Sequence, residues 1–348
     1  MEYWEEINNK LKPWIDTDLN KTVVDLFAGC GGLSLGFEAN GFKTIGYEMD
    51  ENATKTYNKN LIGNCYNEKL STETIYPKAD IVIGGPPCQP FSVGGKQLGL
   101  KDSRDGFPIF LAAIRQLEPE FLLFENVRGM LYKNKWYLQE VIIELENLGY
   151  KLDYALLNAK NYEVPQNRER VIVIGSRNKI RLPNIINRKL TAGDALGELA
   201  YEFDENSKFF TESMDRYVAN YEKASSCVNP RDLYLDRPAR TLTCRNLAGA
   251  TGDMHRVRLK DGRRRRITVR EAARLQSFPD WFEFAGTETN QYNQIGNAVA
   301  PNFAFHLAKN IKNYIMNVPI NEYHISRNEQ LTLFENETIY QSREIKNV

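Results

Sequence analysis

Short apolar runs separated by polar, turn-forming stretches set the rhythm of the first 180 residues. Residues 22–27, 44–48, 81–85 and 121–124 have the length and composition of buried strands. The turn Ala28-Gly29-Cys30-Gly31-Gly32 follows the first of these, and residues 33–40 then read as a helix closed by Gly41. Residues 108–117 and 137–148 have helical spacing, the second with Gly149 after it. Residues 154–159 and 171–175 predict two late strands joined by a polar connection, and residues 1–20 a short amphipathic lead-in helix. Strands alternating with helices in this way predict an α/β fold built on a doubly wound, mostly parallel sheet.

After about residue 180 the pattern loosens. Residues 181–270 are polar, turn-rich and finally very basic, and regular spacing returns at 269–277 and 298–316. In the last of these, Val299, Phe303, Leu307, Ile311 and Ile315 recur four apart, a stripe that should pack on a sheet. The chain is therefore expected to leave a first domain, build a smaller irregular one and return. The expected division is residues 1–180 with 285–318, then 181–284, then a loosely held polar tail over 319–348.

Composition narrows the class. With 348 residues, 42% hydrophobic and 26% charged, the chain is an ordinary globular one of two domains, expected to be a monomer. No run of about 18 apolar residues suggests a membrane span, and the acidic, aromatic start does not resemble a signal peptide. Five cysteines without Cys-x-x-Cys spacing and three scattered histidines predict no disulfides, no metal site and a reducing cytoplasm. Net charge is zero, yet nine Lys and Arg crowd between Arg256 and Arg274 against only Asp261 and Glu271. That run, Arg263, Arg264 and Arg265 above all, is expected to meet phosphates.

The candidate chemistry lies where the strands end. Gly84-Gly85-Pro86-Pro87-Cys88-Gln89-Pro90-Phe91-Ser92 follows the 81–83 run, and its prolines bring Cys88 to the strand's exit. A sulfur held on stiff backbone at a carboxyl edge suits a nucleophile, although a lone cysteine there is more often a buried structural thiol. The glycine turn after residue 27 admits a ligand close to backbone, and Glu48 ends the next strand where ribose hydroxyls would lie. Ser34 stands where a dinucleotide fingerprint wants glycine, which favours an adenosyl ligand without phosphates. Glu125 ends its own strand as Cys88 does; alone it reads equally as a surface carboxylate. Gln166-Asn167-Arg168-Glu169-Arg170 alone reads equally as a salt-bridged turn. A thiol and a carboxyl group beside an adenosyl pocket suggest covalent activation of an electron-poor ring for methyl delivery.

Six segments in order resemble the DNA (cytosine-5)-methyltransferase family and cover residues 22–310. They are Asp25-Leu26-Phe27-Ala28-Gly29, Pro86-Pro87-Cys88-Gln89-Pro90-Phe91-Ser92, Glu125-Asn126-Val127, Gln166-Asn167-Arg168-Glu169-Arg170, Arg270 to Pro279, and Gln294-Ile295-Gly296-Asn297-Ala298. The resemblance implies a Rossmann-like S-adenosylmethionine-dependent methyltransferase fold with a target-recognition domain. It implies S-adenosylmethionine in the glycine pocket, with Phe27 against the adenine, Glu48 on the ribose and Asn297 closing the pocket. Asp25, Ala28, Gly29, Gly31, Gly32, Leu33, Met49, Pro87 and Ala298 are expected around the same ligand. Where the family has Asp at the third strand's end, the best match here is Gly63-Asn64-Cys65, which assigns the adenine contact to Asn64.

By the same resemblance Cys88 attacks C6 of a cytosine, Glu125 contacts N3 and the exocyclic amine, and Arg168 and Arg170 hold the base and thiolate region. The target base must leave the duplex, and residues 89–106, with four glycines, look like the family's mobile loop. Gln89 and Ser92 are then expected on double-stranded DNA. Arg240-Thr241-Leu242-Thr243 resembles the Thr-Leu element of the recognition domain. Thr241, Arg245 and Asn246 are expected at the DNA, the last two suited to guanine and adenine edges, with loop scaffolding the equal alternative. The family implies either a cognate restriction endonuclease as partner or an enzyme acting alone. In the tail, Gln330-Leu331-Thr332-Leu333-Phe334 resembles a sliding-clamp-binding peptide, with a small docking strand as the plainer reading. A tRNA cytosine methylase is the nearest rival, although no Cys-Phe-Thr element is present. A non-catalytic DNA-binding homologue is the second and a nicotinamide dehydrogenase a distant third.

Overall fold

The computed structural model describes residues 2–87, 105–132, 134–224, 231–249 and 253–318. Cys88, Gln89, Ser92, most of the glycine-rich 89–106 segment and the Gln330–Phe334 peptide therefore lie outside the described residues.

The first part of the chain runs α1 (Tyr3–Lys10), β1 (Thr22–Leu26), α2 (Gly32–Glu38), β2 (Lys43–Glu48), α3 (Glu51–Asn60), β3 (Asn64–Asn67) and β4 (Ile81–Gly84). It continues through α4 (Gly106–Leu117), β5 (Phe121–Val127), α5 (Lys135–Asn147), β6 (Lys151–Asn158), β7 (Gln166–Asn167) and β8 (Glu169–Ser176). Seven of these strands form one sheet in the order β3-β2-β1-β4-β5-β8-β6. The pairs from β3 to β5 are parallel, whereas β8 runs antiparallel between β5 and β6. Strand order reverses between β1 and β4, and the carboxyl edge at such a switch point is where open α/β sheets bind ligands.

The apolar strands are buried on both faces, as a sheet covered by helices requires. Val24, Leu26, Val82, Leu122 and Phe124 share one face with Phe107 and Phe110 of α4 and Leu138 and Val141 of α5. Val23, Ile81, Ile83 and Leu123 point the other way, onto Phe303, Leu307 and Ile311. The stripe expected at 299–315 thus does cover the sheet, in a helix that starts at Pro301, a residue pre-set for a first helical turn.

The second part comprises α6 (Ala192–Leu196), α7 (Glu212–Ala224), β9 (Ala239–Arg240), α8 (Cys244–Ala248), the hairpin β10 (Arg256–Arg258) and β11 (Arg264–Arg266), α9 (Val269–Leu275) and α10 (Glu288–Asn297). The chain then returns through α11 (Pro301–Ile315). Tyr3, Ile7 and Leu11 of the first helix share a core with Leu196, Leu233, Val257, Leu275 and Ile295, so the amino-terminal helix packs among residues of the second part. Strand β9 pairs in parallel with β7, joining the Thr241 region to the Gln166–Arg170 segment.

Helices α3, α7 and α10 have too few apolar positions to announce themselves by spacing. In α3 local chemistry does it instead: Asp50 caps the helix by accepting from the Ala53 amide at 2.8 Å.

Candidate active site

At the end of β1 the backbone turns sharply. Phe27 holds φ 60°, a left-handed conformation unusual for a bulky residue and of the kind that clusters at functional sites. Gly31 holds φ 88°, and a Cβ there would come within 2.8 Å of the Tyr57 ring. The Gly29 amide donates to Glu48 Oε2 at 2.9 Å and the Asp50 amide to Glu48 Oε1 at 2.8 Å, which fixes the carboxylate at the rim of the turn. Each oxygen keeps a further lone pair for a hydroxyl donor. A turn open to a ligand and an anchored carboxylate fit an adenosyl group.

Other members of the expected pocket are placed differently. Asp25 is buried beneath the turn, accepting from Ser34 Oγ at 2.7 Å, and burial pushes its carboxyl up to about 7. Leu33 buries its side chain in the core, so backbone alone is available there, while Met49 is exposed. Asn64 is a correction: it begins β3, paired with Ile45, roughly 10 Å along the strand from the carboxyl edge. The residue at that edge is Asn67, paired with Glu48 and donating through Nδ2 to the Glu48 carbonyl at 3.1 Å. A register that the sequence does not reveal separates the two asparagines.

One edge over, β4 delivers Pro86 and Pro87. Asn126 of β5, buried, donates from Nδ2 to the Pro86 carbonyl at 2.9 Å. The Gly106 amide donates to the Pro87 carbonyl at 3.0 Å, and a Cβ on Gly106 would lie 2.4 Å from Pro87 Cδ. The backbone immediately before Cys88 is therefore held from two sides. Glu125, adjacent to Asn126, faces the other way and pairs with Arg170 of β8, Nε to Oε1 at 2.6 Å.

Arg168 is a second correction. Its guanidinium is fully enclosed and donates to three backbone carbonyls, Leu242 at 2.7 Å, Gly296 at 3.2 Å and Ala298 at 2.9 Å. Burial lowers its pKa to about 9. It is committed to holding backbone, and Arg170 is the arginine that faces the Glu125 carboxylate. Asn297 stands exposed at the end of α10 and accepts from Cys244 Sγ at 2.9 Å.

The residues expected at DNA divide sharply. Thr241, bonded through Oγ1 to the Asn167 carbonyl at 2.6 Å, lines a cleft of about 450 Å³ with Val127, Arg128, Asn167, Glu169 and Arg170. Arg245 is 80% exposed. Asn246 is instead buried in a capping box, accepting from the Thr243 amide and donating to the Thr241 carbonyl. The arginine run is likewise mostly internal. Arg265 is buried in a two-point pair with Glu271 at 2.7 and 2.8 Å. Arg264 pairs with Asp215 and Asp232, and Asp232 also takes the wholly buried Arg256. Among the three expected phosphate contacts only Arg263 is half exposed, paired with Asp261 and lying over the Phe209 ring at 4.4 Å. The run looks like a footprint in sequence because the acidic partners of Arg256 and Arg264 lie about 24 to 49 residues away, and only Asp261 and Glu271 stand within it.

Residues overlooked in the sequence are Asn67, Asn126 and Arg128. Asn126 carried the available signal, lying beside Glu125 in a polar pair that closes an apolar strand. Among the described residues no group of His, Cys, Asp and Glu could hold a metal, and no helix is long and apolar enough to cross a membrane.

Comparison with known proteins agrees with this geometry. Residues 21–313 match the family model for C-5 cytosine-specific DNA methylase. Type II methyltransferase M.AplI of Arthrospira platensis is 54% identical over 322 residues, covering 92% of this chain and 93% of that protein. Type II methyltransferase M.FnuDI of Fusobacterium nucleatum is 34% identical, covering 83% and 94%. Among solved structures, DNMT2 of Spodoptera frugiperda superposes with a TM-score of 0.67 at 19% identity, covering 84% of this chain and 100% of that one. That likeness concerns the fold. The chain belongs to the C-5 cytosine-specific DNA methylase family and is a DNA cytosine-5 methyltransferase.

Proposed function

We propose that this chain methylates one cytosine within a specific duplex sequence, binding S-adenosylmethionine at the Phe27–Gly32 turn and using Cys88 as nucleophile. The cofactor supplies an electrophilic methyl group. Cys88 adds its thiolate to C6 of the extruded base while Glu125 supplies a proton at N3, which turns C5 into a carbon nucleophile. After transfer the C5 proton leaves to a base, the Cys88–C6 bond breaks and the N3 proton returns to Glu125, regenerating the thiolate, the acid and a neutral aromatic ring. Arg170 holds Glu125 in orientation throughout. Glu48, Asn67 and Asn297 hold the adenosyl group, and Thr241 and Arg245 face the DNA.

The observation that carries this reading is the common carboxyl edge. Asn126 anchors Pro86 two residues before Cys88, and Glu125 is the residue before Asn126 in the same strand. Residues 1–180 with 285–318 are assigned to catalysis and 181–284 to recognition as part of the same proposal, although the amino-terminal helix packs among residues of the second part. The Type II naming of the relatives supports a restriction–modification context with a cognate endonuclease as partner, and a bacterial cytoplasmic setting. A docking role for Gln330–Phe334 stays a separate motif proposal, tested by deleting 328–336 and measuring clamp binding. Bisulfite sequencing of plasmid from cells expressing the wild type should reveal one methylated sequence. Cys88→Ala should abolish the signal and retain DNA binding; methylation by that variant would sink the mechanism.

A further inference from the structure

We propose that Arg168 is a positioning residue that couples cofactor binding to target-strand binding, by fastening the Thr241 segment to the Asn297 turn. The inference rests on the preceding reading of Asn297 as a cofactor-pocket residue and of Thr241 as strand-facing.

Arg168 is wholly enclosed, and among the described residues no carboxylate bonds to it. Its solvation comes from the carbonyl of Leu242, between Thr241 and Thr243, and from those of Gly296 and Ala298, on either side of Asn297. Among the described residues its Nε has no hydrogen-bond acceptor. A buried cation hydrogen-bonded to carbonyls of two separate segments penalises any movement of one segment away from the other.

The surrounding bonds make the same connection. Gln166 Oε1 accepts from the Leu242 amide at 2.9 Å, so both backbone polar groups of Leu242 are held by side chains of one five-residue segment. Gln276 Nε2 donates to the Ala298 carbonyl at 2.8 Å, alongside Arg168. Cys244 Sγ reaches Asn297 Oδ1 directly. Ordering the Thr241 segment on DNA thus restrains the Asn297 turn, and filling the cofactor pocket restrains the Thr241 segment. Such coupling is reciprocal by linkage.

The test uses the full chain, S-adenosylhomocysteine and a fluorescent duplex carrying the sequence mapped by bisulfite sequencing. Coupling is the ratio of duplex Kd without and with saturating S-adenosylhomocysteine, expected between about 5 and 150 for the wild type. Arg168→Lys keeps the charge but cannot span both segments, and should bring the ratio down towards one. Cys244→Ala, which removes only the thiol link, should give a smaller fall and covers the case in which the lysine variant does not fold. An arginine acting as a plain core pin would weaken duplex and cofactor binding separately and leave their ratio intact. An unchanged ratio in every variant that folds, or a wild-type ratio of one, overturns the proposal. A wild type that methylates no plasmid cytosine would instead remove the functional reading beneath it.

Discussion

Arg170 Nε lies 2.6 Å from Glu125 Oε1 because two antiparallel strands bring them to one sheet face. In the β5–β8 register Glu125 opposes Ile172 and Val127 opposes Arg170, so the pair is a diagonal one within reach of a long side chain. Both side chains are only 11% exposed, which makes the pairing strong enough to orient the carboxyl group and hard to break without cost. The antiparallel insertion of β8 is thus what supplies the Glu125 carboxylate with its cation.

Separating charge from chemistry is possible at this pair. Glu125→Gln should lower kcat by about 10²–10⁴, the usual size of a lost proton-transfer group, and should also cost stability, because it leaves the equally buried Arg170 charge without its partner. Arg170→Met leaves a largely buried carboxylate without a counter-ion and should destabilise by about 2–4 kcal/mol. The double variant should be more stable than the sum of the two losses, since the uncompensated charge is gone. Urea denaturation and single-turnover methyl transfer measure both; strict additivity in stability would show that the ion pair is not coupled.

Asn126 should act on the nucleophile through the backbone. Asn126→Ala removes the bond to the Pro86 carbonyl and should lower kcat roughly 10–100-fold, as small misplacements near reacting atoms do. The KM for S-adenosylmethionine should stay near the wild-type value. A rise in that KM with unchanged kcat would place the effect in the cofactor pocket instead.

The arginine run should behave as framework. Arg265→Ala strands the buried Glu271 carboxylate and should cost about 3–5 kcal/mol of stability, whereas Arg263→Ala should cost less than about 1 kcal/mol because its pair with Asp261 is exposed. The salt dependence of DNA binding should respond to Arg245→Ala, by about one unit of slope, and not to either replacement in the run. Duplex titrations between low and moderate salt decide this. A slope lowered by Arg263→Ala but not by Arg245→Ala would return the footprint to the hairpin.

What the sequence disclosed and what it concealed divide along physical lines. Val23-Val24, Ile81–Ile83 and Phe121–Phe124 announce their strands, because residues buried on both faces form continuous apolar runs. Glu48 and Glu125 announce themselves by closing such runs. The fate of Arg256 and Arg264 could not be read, since Asp232, Glu222 and Asp215 reach them only through folding. Arg168 and Arg170 stand two apart in one motif, yet one is enclosed among carbonyls and the other faces Glu125. Asn64 and Asn67 differ by three positions in a short polar strand that gives no apolar alternation to set its register.

That register gives a direct contrast. Asn67→Ala should raise the Kd for S-adenosylmethionine about tenfold, the loss of about one hydrogen bond. Asn64→Ala should leave it within about twofold, being roughly 10 Å down the strand. Calorimetric titration of both variants is the measurement, and the reverse ranking would shift β3 by three residues.

Asp25 should impose a pH dependence on stability. Its carboxyl is pushed up to about 7, first by burial and further by the neighbouring Glu48 charge, although Ser34 opposes the shift. In the unfolded chain an aspartate titrates near 3.9. Between those values the native state holds a proton that the unfolded state has released, so this contribution falls as pH rises from about 4 to about 7 and then levels off. The span corresponds to about 4 kcal/mol as an upper bound. Glu38, also raised by burial, acts in the same direction, and His306, lowered by burial, acts in the opposite one, so the wild-type profile alone does not isolate Asp25. Asp25→Asn keeps an acceptor for Ser34 Oγ and has nothing to titrate. The stability difference, variant minus wild type, should therefore grow from pH 5 to pH 7 and stay constant from pH 7.5 to pH 8.5 in urea denaturation; parallel profiles would mean that Asp25 is ionised in the folded protein across the whole range.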